Sequence, residues 1–258
     1  MIKRMIYTCY EMARDCRADK AEGWSHFIAN YVPLVRRFLA HYGGGGIEPV
    51  LKALRDPESS MFQSLDPAPE RWFLAELRQK VLAEIPIPAA EIAIDLETVA
   101  EALAPLTVVE KLAAWLETMH YDAKESGAVL RMSPETVAKI RDKAEELLRG
   151  KVDAWRRNLL ADNGRALGVQ AVAAKTEECL RDKAFLDVLD GRETWRGREE
   201  MERHVTRCWH CIDHFCRMAE VIQSIRGMQP LTAEESEPFR KLLGIQPKKA
   251  AWKRLAGM

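Results

Sequence analysis

Four cysteine and histidine residues near the C-terminus constrain the fold of this 258-residue chain more than any other feature of its sequence. Cys179 is followed, after 24 residues, by the run His204-x3-Cys208-x2-Cys211. A structural zinc site takes four nitrogen or sulfur ligands in tetrahedral geometry, and these residues supply such a set. The spacing therefore predicts that one zinc ion binds Cys179, His204, Cys208 and Cys211.

The spacing also predicts local structure. His204 and Cys208 are four residues apart, so we expect them on one face of a helix, with Cys211 across a short turn. We expect Cys179 on a separate helix, so that the metal pins helices in a region too small for a large core. The alternative is that these cysteines are simply small buried hydrophobic residues. Three further candidate ligands stand nearby: His210, His214 and Cys216.

The rest of the sequence predicts an all-α fold. Hydrophobic residues make up 47% of the chain, enough for a packed core. Apolar residues recur at helical spacing, as in 20–42 and 70–85, without the period-2 alternation of strands. Pro86–Ala90 is typical of a linker. We predict helical domains over residues 1–85 and 91–162, a small zinc-stabilised helical domain over 172–227, and a C-terminal tail over 228–258.

Residues 121–148 have the pattern of a helix-turn-helix. Asp122 can cap a short helix, Arg131 and Met132 form the turn, and Ser133 followed by Pro134 is a favourable start for a second helix. Basic residues on the exposed face of that helix are typical of DNA reading. The alternative is a helical hairpin with a solvated charged face, because acidic residues dilute the basic ones. The acidic residues are Glu135, Asp142, Glu145 and Glu146.

Composition and charge exclude several classes of function. Lys plus Arg equals Asp plus Glu, at 39 each, which argues against non-specific nucleic-acid binding over the whole surface but not against a local basic face. No stretch approaches the roughly 18–20 apolar residues of a membrane span, and no signal peptide is recognisable. We expect a cytoplasmic protein, not membrane-bound, with reduced cysteines.

No catalytic triad, phosphate loop or open metal site stands out, so we expect no enzyme.

The cysteine-rich stretch resembles the zinc-binding anti-sigma domain of bacteria. The shared pattern is the turn Leu189-Asp190-Gly191 followed by the His204–Cys211 run, and the resemblance covers about residues 176–226. In that family the domain wraps a sigma factor, and in some members oxidation of the cysteines expels zinc and releases the partner. The resemblance implies a zinc site here and leaves open whether it is structural or redox-active.

The segment before it resembles region four of extracytoplasmic-function sigma factors. The motifs that carry this resemblance are Leu103-Ala-Pro105, Glu125-Ser-Gly127, Ser133-Pro-Glu-Thr136-Val137 and Ala144-Glu-Glu-Leu147. In the family the second helix of the pair reads promoter DNA in the major groove. Ser126 and Gly127 stand where the family usually has Ile and Ala. The resemblance places five residues of this chain at the DNA: Ser133, Thr136, Lys139, Arg141 and Lys143.

Residues 20–85 resemble region two of the same sigma factors more weakly. The long helix through Tyr31–Phe38 and the helix from Glu70 to Arg78 stand in the expected order. The acidic motif that grips the polymerase is absent after Gly46, where IEPVLKALRD stands instead. The nearest candidates for the promoter-melting segment are Arg71, Trp72, Phe73 and Arg78.

This order of segments predicts a sigma factor-like transcription regulator. It would bind promoter DNA, RNA polymerase core or both, and the fused zinc domain would modulate it by an intramolecular sigma/anti-sigma contact that covers the DNA-reading helix. The alternative is a degenerate sigma-like protein that acts as a zinc-containing interaction or anti-sigma module without binding DNA. The missing polymerase motif and the neutral charge favour this alternative.

Overall fold

A computed structural model describes residues 7–42, 45–58, 62, 70–87, 95–162, 164–192, 195–226 and 228–245 of the chain. All regular structure in these residues is helical, so the prediction of an all-α fold is confirmed. The helices are α1 (Cys9–Arg17), α2 (Ala21–His41), α3 (Ile47–Arg55), α4 (Glu70–Ala83), α5 (Leu96–Ala102), α6 (Val108–Thr118), α7 (Ala123–Leu130), α8 (Pro134–Arg149), α9 (Ala154–Asp162), α10 (Arg165–Ala173), α11 (Asp182–Leu189), α12 (Trp195–Val205), α13 (Trp209–Ile225) and α14 (Ala233–Leu242). No helix in this part of the chain has the length and apolar character needed to cross a bilayer.

Several helices begin where the sequence places a capping box. The side chain of a Thr or Asp accepts a hydrogen bond from the backbone three residues on, and the Glu at that position accepts one in return. Two unsatisfied N–H groups at the helix start are thereby paired. The boxes that start α1, α6, α7 and α14 are Thr8–Glu11, Thr107–Glu110, Asp122–Glu125 and Thr232–Glu235.

The chain divides into two compact units. The first unit comprises residues 1–85 and 227–258, and the second comprises residues 86–226. The division differs from the four segments expected from the sequence in two ways. Part of the expected tail belongs to the first unit, and the zinc-domain segment shares the second unit with the helix-turn-helix segment.

The first unit is built around α2, which buries a row of large side chains including Trp24, Phe27 and Phe38. The last described helix, α14, packs on α2. The guanidinium of Arg36 lies 4.7 Å from the centre of the Phe239 ring. Residues 228–245 therefore belong to the core of this unit, because they cover an apolar face of α2 that the sequence pattern alone assigns to no partner.

Two residues considered for promoter melting belong to the same core. Phe73 is fully buried, with its ring centre 5.2 Å from that of Tyr31. Arg78 is buried, and its Nη2 donates to the hydroxyl of Tyr42 at 2.7 Å. Neither side chain is therefore presented to a ligand on the surface. Arg71 and Trp72 are half-buried.

The second unit is organised by α13, which packs against α6, α7, α10, α11 and α12. A second cluster joins α6 to α8, where Ala113, Val137 and Ile140 are buried together. Because α13 carries a candidate metal ligand and packs on α6, which in turn supports α8, the two segments expected as separate domains lie in one compact unit.

Candidate metal centre

The four predicted ligands meet at one place in the second unit. His204 lies in the last turn of α12, Cys208 immediately precedes α13, Cys211 lies in the first turn of α13, and Cys179 lies in a turn between α10 and α11. Their ligand atoms all lie within 4.8 Å of one another. Within the described residues, this is the one group of three or more His, Cys, Asp or Glu side chains that could hold a metal ion.

The backbone that carries these ligands differs from the expectation in two respects. His204 and Cys208 do not share a helix, because α12 ends at Val205 and Cys208 is extended, with φ −112° and ψ 102°. The chain leaves the helix after Val205 through a turn at Thr206 and Arg207, so Cys208 is the N-cap residue at which α13 starts. Cys179 was expected on a helix and instead lies in a turn.

One pair of donor atoms has the spacing of a tetrahedral zinc site. Zinc–sulfur bonds of about 2.3 Å place two thiolates about 3.8 Å apart across a tetrahedron, and the sulfurs of Cys179 and Cys208 lie 3.7 Å apart. All six cysteines are free. The Nε2 atom of His204 is buried and has no hydrogen-bond partner in the described structure. Because a buried polar atom without a partner costs free energy, this nitrogen is well suited to a metal.

Thr176 surrounds one of the sulfurs with hydrogen-bond donors, as is usual in structural metal sites. The backbone N–H of Thr176 donates to the sulfur of Cys179 at 3.2 Å, and the hydroxyl of Thr176 lies 3.6 Å from it. Such donors orient the ligands and stabilise thiolate charge, as second-layer contacts do around bound metals.

The three thiols respond differently to these surroundings. Burial acts to raise the pKa of Cys179, but the hydrogen bonds from Thr176 and Cys208 outweigh it and lower that pKa. Burial raises the pKa of Cys208 and of Cys211. A metal that binds thiolates must displace the protons that remain, so binding weakens as the pH falls.

The three alternative ligands point elsewhere. The Nδ1 atom of His210 lies 3.1 Å from the carbonyl of Ala171. The ring of His214 packs against Phe185, with centres 4.9 Å apart. The thiol of Cys216 donates to the carbonyl of Leu112 at 3.8 Å. These contacts belong to the packing of α13 and not to the metal-ligand group.

One side of the site faces a groove of about 900 Å³. His204 and Cys208 line it together with Arg203 and Arg207, whereas Cys211 is fully buried. Because Cys179, His204 and Cys208 are all half-buried, solvent can reach three of the four ligands.

No protein-family model matches this chain, and no curated protein or solved structure matches it either. The features of this chain that bear on its function are therefore the metal-ligand group and the α7–α8 pair.

The α7–α8 pair places the five predicted DNA contacts in different surroundings. Ser133 is the N-cap of α8, where its Oγ accepts the backbone N–H of Thr136 at 3.2 Å, and both residues are exposed. Lys139 is exposed. The ammonium of Lys143 pairs with Glu110 of α6 at 2.7 Å, and its side chain is 49% exposed. Three of these residues therefore share a solvent-facing surface at the start of α8, and Lys143 extends it.

Arg141 does not share that surface. Its side chain is 14% exposed, and its Nη2 donates to the carbonyl of Tyr121 and, at 2.8 Å, to the hydroxyl of Ser126. Arg141 therefore ties α8 to the start and middle of α7. The expectation that it faces DNA fails in this structure, because a helical pattern identifies exposed positions but not inward-turned long side chains.

The two departures from the sigma-factor pattern are explained by this packing. Ser126 is buried and accepts the hydrogen bond from Arg141. A Cβ atom on Gly127 would lie 2.7 Å from the carbonyl oxygen of Met132, so the turn approaches α7 more closely than Ala permits. The Ser126–Gly127 pair therefore allows a tight approach of the turn and of α8 to α7.

Sequence reasoning missed the residues that connect the α7–α8 pair to the metal ligands. Lys111 and Trp115 on α6 contact residues that lie one or two positions from Cys208 and Cys211. No spacing rule could have found them, because their partners lie far away in sequence. The only available signal was their position, four residues apart, on one face of a predicted helix.

Proposed function

We propose that this chain is a zinc-containing, sigma-like transcription regulator, and that its metal site is structural. The observation that carries the proposal is the sharing of one core by two features. An exposed helix start with Ser133, Thr136 and Lys139 stands on a scaffold that is packed directly against the metal-ligand segment.

Zinc is the metal that this donor set favours. Three sulfurs and one imidazole nitrogen form a closed tetrahedral set, which is the usual composition of structural zinc sites. Other metals prefer other donor sets. Iron–sulfur clusters take four thiolates, and magnesium and calcium take oxygen ligands. Bound zinc would supply folding free energy to a segment of short helices.

Direct measurement of the bound metal tests the proposed zinc site. We expect close to one equivalent of zinc in freshly purified, reduced protein, and its loss in Cys208→Ser. Cys9→Ser is the matched control, because Cys9 lies in the first unit, outside the ligand group. A content below about half an equivalent in the wild type, or an equal content in both variants, would contradict a zinc site.

DNA binding is supported by the start of α8. A helix N-terminus carries a partial positive charge and free N–H groups, and Ser, Thr and Lys side chains suit phosphate and base edges. Within the second unit, the metal-ligand segment leaves Ser133, Thr136 and Lys139 exposed. DNA binding by these three residues therefore requires no movement of that segment. In this proposal the metal-ligand segment supports the helix and does not cover it.

The DNA proposal is tested by selection from a random-sequence duplex library with the full-length, metal-loaded chain. We expect enrichment of a shared sequence, and we expect Lys139→Ala to weaken binding of that sequence by roughly tenfold, as loss of a base or phosphate contact does. The control is Lys151→Ala, another exposed lysine of the second unit that lies beyond the end of α8. No enrichment, or equal effects of the two substitutions, would contradict DNA reading by α8.

A protein-interaction module without DNA binding is the second candidate, and the charge of α8 favours it. Arg141 is turned inward and Lys143 is paired with Glu110. Four acidic residues on α8 are exposed: Glu135, Asp142, Glu145 and Glu146. Retention of RNA polymerase core by the immobilised chain, together with no DNA enrichment, would support this candidate. Failure of both assays would contradict the sigma-like proposal as a whole.

A further inference from the structure

The second unit has a direct structural connection between the metal ligands and α8, and it runs through α6. We use the name metal loop for residues 204–211, which contain three of the four candidate ligands. On α6, Lys111 and Trp115 are four residues apart and therefore lie on one face. Both contact the metal loop or the helix that follows it.

Lys111 contacts the loop between two ligands. Its Nζ donates to the carbonyl of Thr206 at 2.9 Å, and Thr206 lies between His204 and Cys208 in sequence. Lys111 is 4% exposed. The carbonyls at the end of a helix lack intrahelical partners and carry partial negative charge, so an ammonium placed there stabilises the helix end. Lys111 thus fixes the end of α12, which presents His204.

Trp115 contacts the loop on the other side of Cys208. Its ring centre lies 5.3 Å from that of Trp209, which stands between Cys208 and Cys211. Its indole Nε1 donates to Asp213 Oδ1 at 3.0 Å, and Asp213 is 3% exposed. A buried carboxylate that loses a hydrogen-bond donor is destabilised, because no water replaces the lost partner. This contact therefore resists separation of α6 from α13.

Another face of α6 supports α8. Ala113 is fully buried against Val137 and Ile140 of α8. Glu110 pairs with Lys143 at 2.7 Å, and Glu117 lies 3.8 Å from Arg141. A shift of α6 would therefore disturb apolar packing and ion pairs along the length of α8.

We propose that Lys111 and Trp115 are positioning residues that couple occupancy of the metal site to the rigidity of α8. The bound metal fixes the loop, the loop fixes α6 through these two side chains, and α6 fixes α8. The inference rests on the proposed metal site. Because coupling between two sites is reciprocal, weakening the contacts of α6 must also weaken metal binding.

Metal affinity gives the first test, with the full-length chain and cobalt(II) as a spectroscopic probe in competition with zinc. We expect Lys111→Met to lower metal affinity at least fivefold and to change the cobalt absorption bands, since the end of α12 loses its ammonium donor. Lys111→Arg, which keeps a cationic donor, restores most of the affinity. The matched control is Lys124→Met, an exposed lysine on α7, which leaves affinity and spectrum unchanged.

Amide hydrogen exchange in the same chains gives the second test. We expect chelation of the metal from the wild type to speed exchange about tenfold or more in α6 and α8, and we expect a smaller response to chelation in Lys111→Met and in Trp115→Phe. Trp115→Phe retains an aromatic ring, so this variant still tests the coupling if Lys111→Met does not fold. Wild-type metal affinity and wild-type exchange responses in both variants would overturn the coupling.

The outcomes separate this inference from the proposed function. Failure of the wild type to bind cobalt or zinc overturns the metal site and the coupling together. Metal binding with faster exchange confined to residues 176–212 after chelation overturns the coupling alone. An equal rise of exchange in every helix of the second unit also overturns it, because the metal would then stabilise the whole unit without a specific connection through α6.

Discussion

The indole nitrogen of Trp115 donates to the carboxylate of Asp213 at 3.0 Å, although the two residues are 98 positions apart in the sequence. The other oxygen of Asp213 lies 2.6 Å from the guanidinium of Arg217. Trp115 belongs to the segment that the sequence predicts to be sigma-like, and Asp213 belongs to the segment that it predicts to be anti-sigma-like. In this chain the two segments are therefore joined by a buried polar contact within a common core.

Replacing Trp115 with Phe removes the donor and retains a ring. We expect the second unit to lose about 1–2 kcal/mol of stability, because a buried acceptor loses one hydrogen-bond partner. Urea unfolding of the metal-loaded chain measures the change. Trp155→Phe is the control, since Trp155 is 53% exposed, and surface substitutions of this kind usually change stability by less than about 0.5 kcal/mol. Equal midpoints for the two variants would argue against a stabilising role for this contact.

Replacing Gly127 with Ala tests the close approach between α7 and the turn before α8. The added Cβ would lie 2.7 Å from the carbonyl oxygen of Met132, so backbone must move. We expect a loss of roughly 1–3 kcal/mol, as for other overpacked sites. The control is Gly150→Ala at the end of α8, where φ is −77° and a Cβ would lie 3.6 Å from its nearest neighbour, the carbonyl oxygen of Leu147.

We expect Gly150→Ala to leave stability unchanged or to raise it by up to about 1 kcal/mol, because Ala restricts the unfolded chain. Thermal unfolding of the two variants beside the wild type provides the comparison. If Gly127→Ala proved as stable as Gly150→Ala, the turn would have room that this structure does not show.

The sequence predicted those features that depend on local pattern. Helical periodicity and capping residues such as Asp122 and Ser133 mark helix starts, because both reflect contacts within a few residues. The ligand group followed from the chemistry of zinc, which needs four donors of limited kinds. Cys179 could be included because a fourth donor was required, even though its local structure was predicted wrongly.

Features that depend on distant contacts were not predictable in the same way. Arg141 turns inward because the carbonyl of Tyr121 and the hydroxyl of Ser126 offer acceptors. The place of α14 depends on α2, whose apolar face is evident from its sequence while its partner is not. Periodicity identifies which face of a helix is buried, but it does not identify what covers that face.

Asp15 in the first unit provides a pH-dependent prediction. Hydrogen bonds from Lys20, Tyr7 and Arg14 hold the pKa of this carboxyl well below its usual range. A lowered pKa in the folded state means that the ionised form contributes stability above the unfolded pKa of about 3.9, and that this contribution is lost as the pH falls below it. We expect Asp15→Asn to destabilise the first unit by about 1 kcal/mol at neutral pH.

The difference between Asp15→Asn and the wild type should shrink progressively between about pH 4 and the acid limit of folding. Amide exchange in α1 and α2, compared between the two chains at each pH, measures it. Peptides from the second unit serve as an internal control, since they should show no difference. A difference that stays constant from pH 7 down to pH 3 would mean that the carboxylate charge at this position contributes nothing.

Replacing Phe239 with Ala tests whether α14 is part of the first unit in solution. Phe239 is 5% exposed and lies under the guanidinium of Arg36 on α2. We expect a loss of about 3–4 kcal/mol, typical for truncating a buried aromatic side chain. Amide exchange in α2 should quicken accordingly, because the face that α14 covers becomes accessible. Lys241→Ala is the control on the same helix, since that side chain is 76% exposed and only distantly paired with Glu237. If the amide protection of α2 were unchanged in Phe239→Ala, residues 228–245 would be a tail that does not stabilise the first unit.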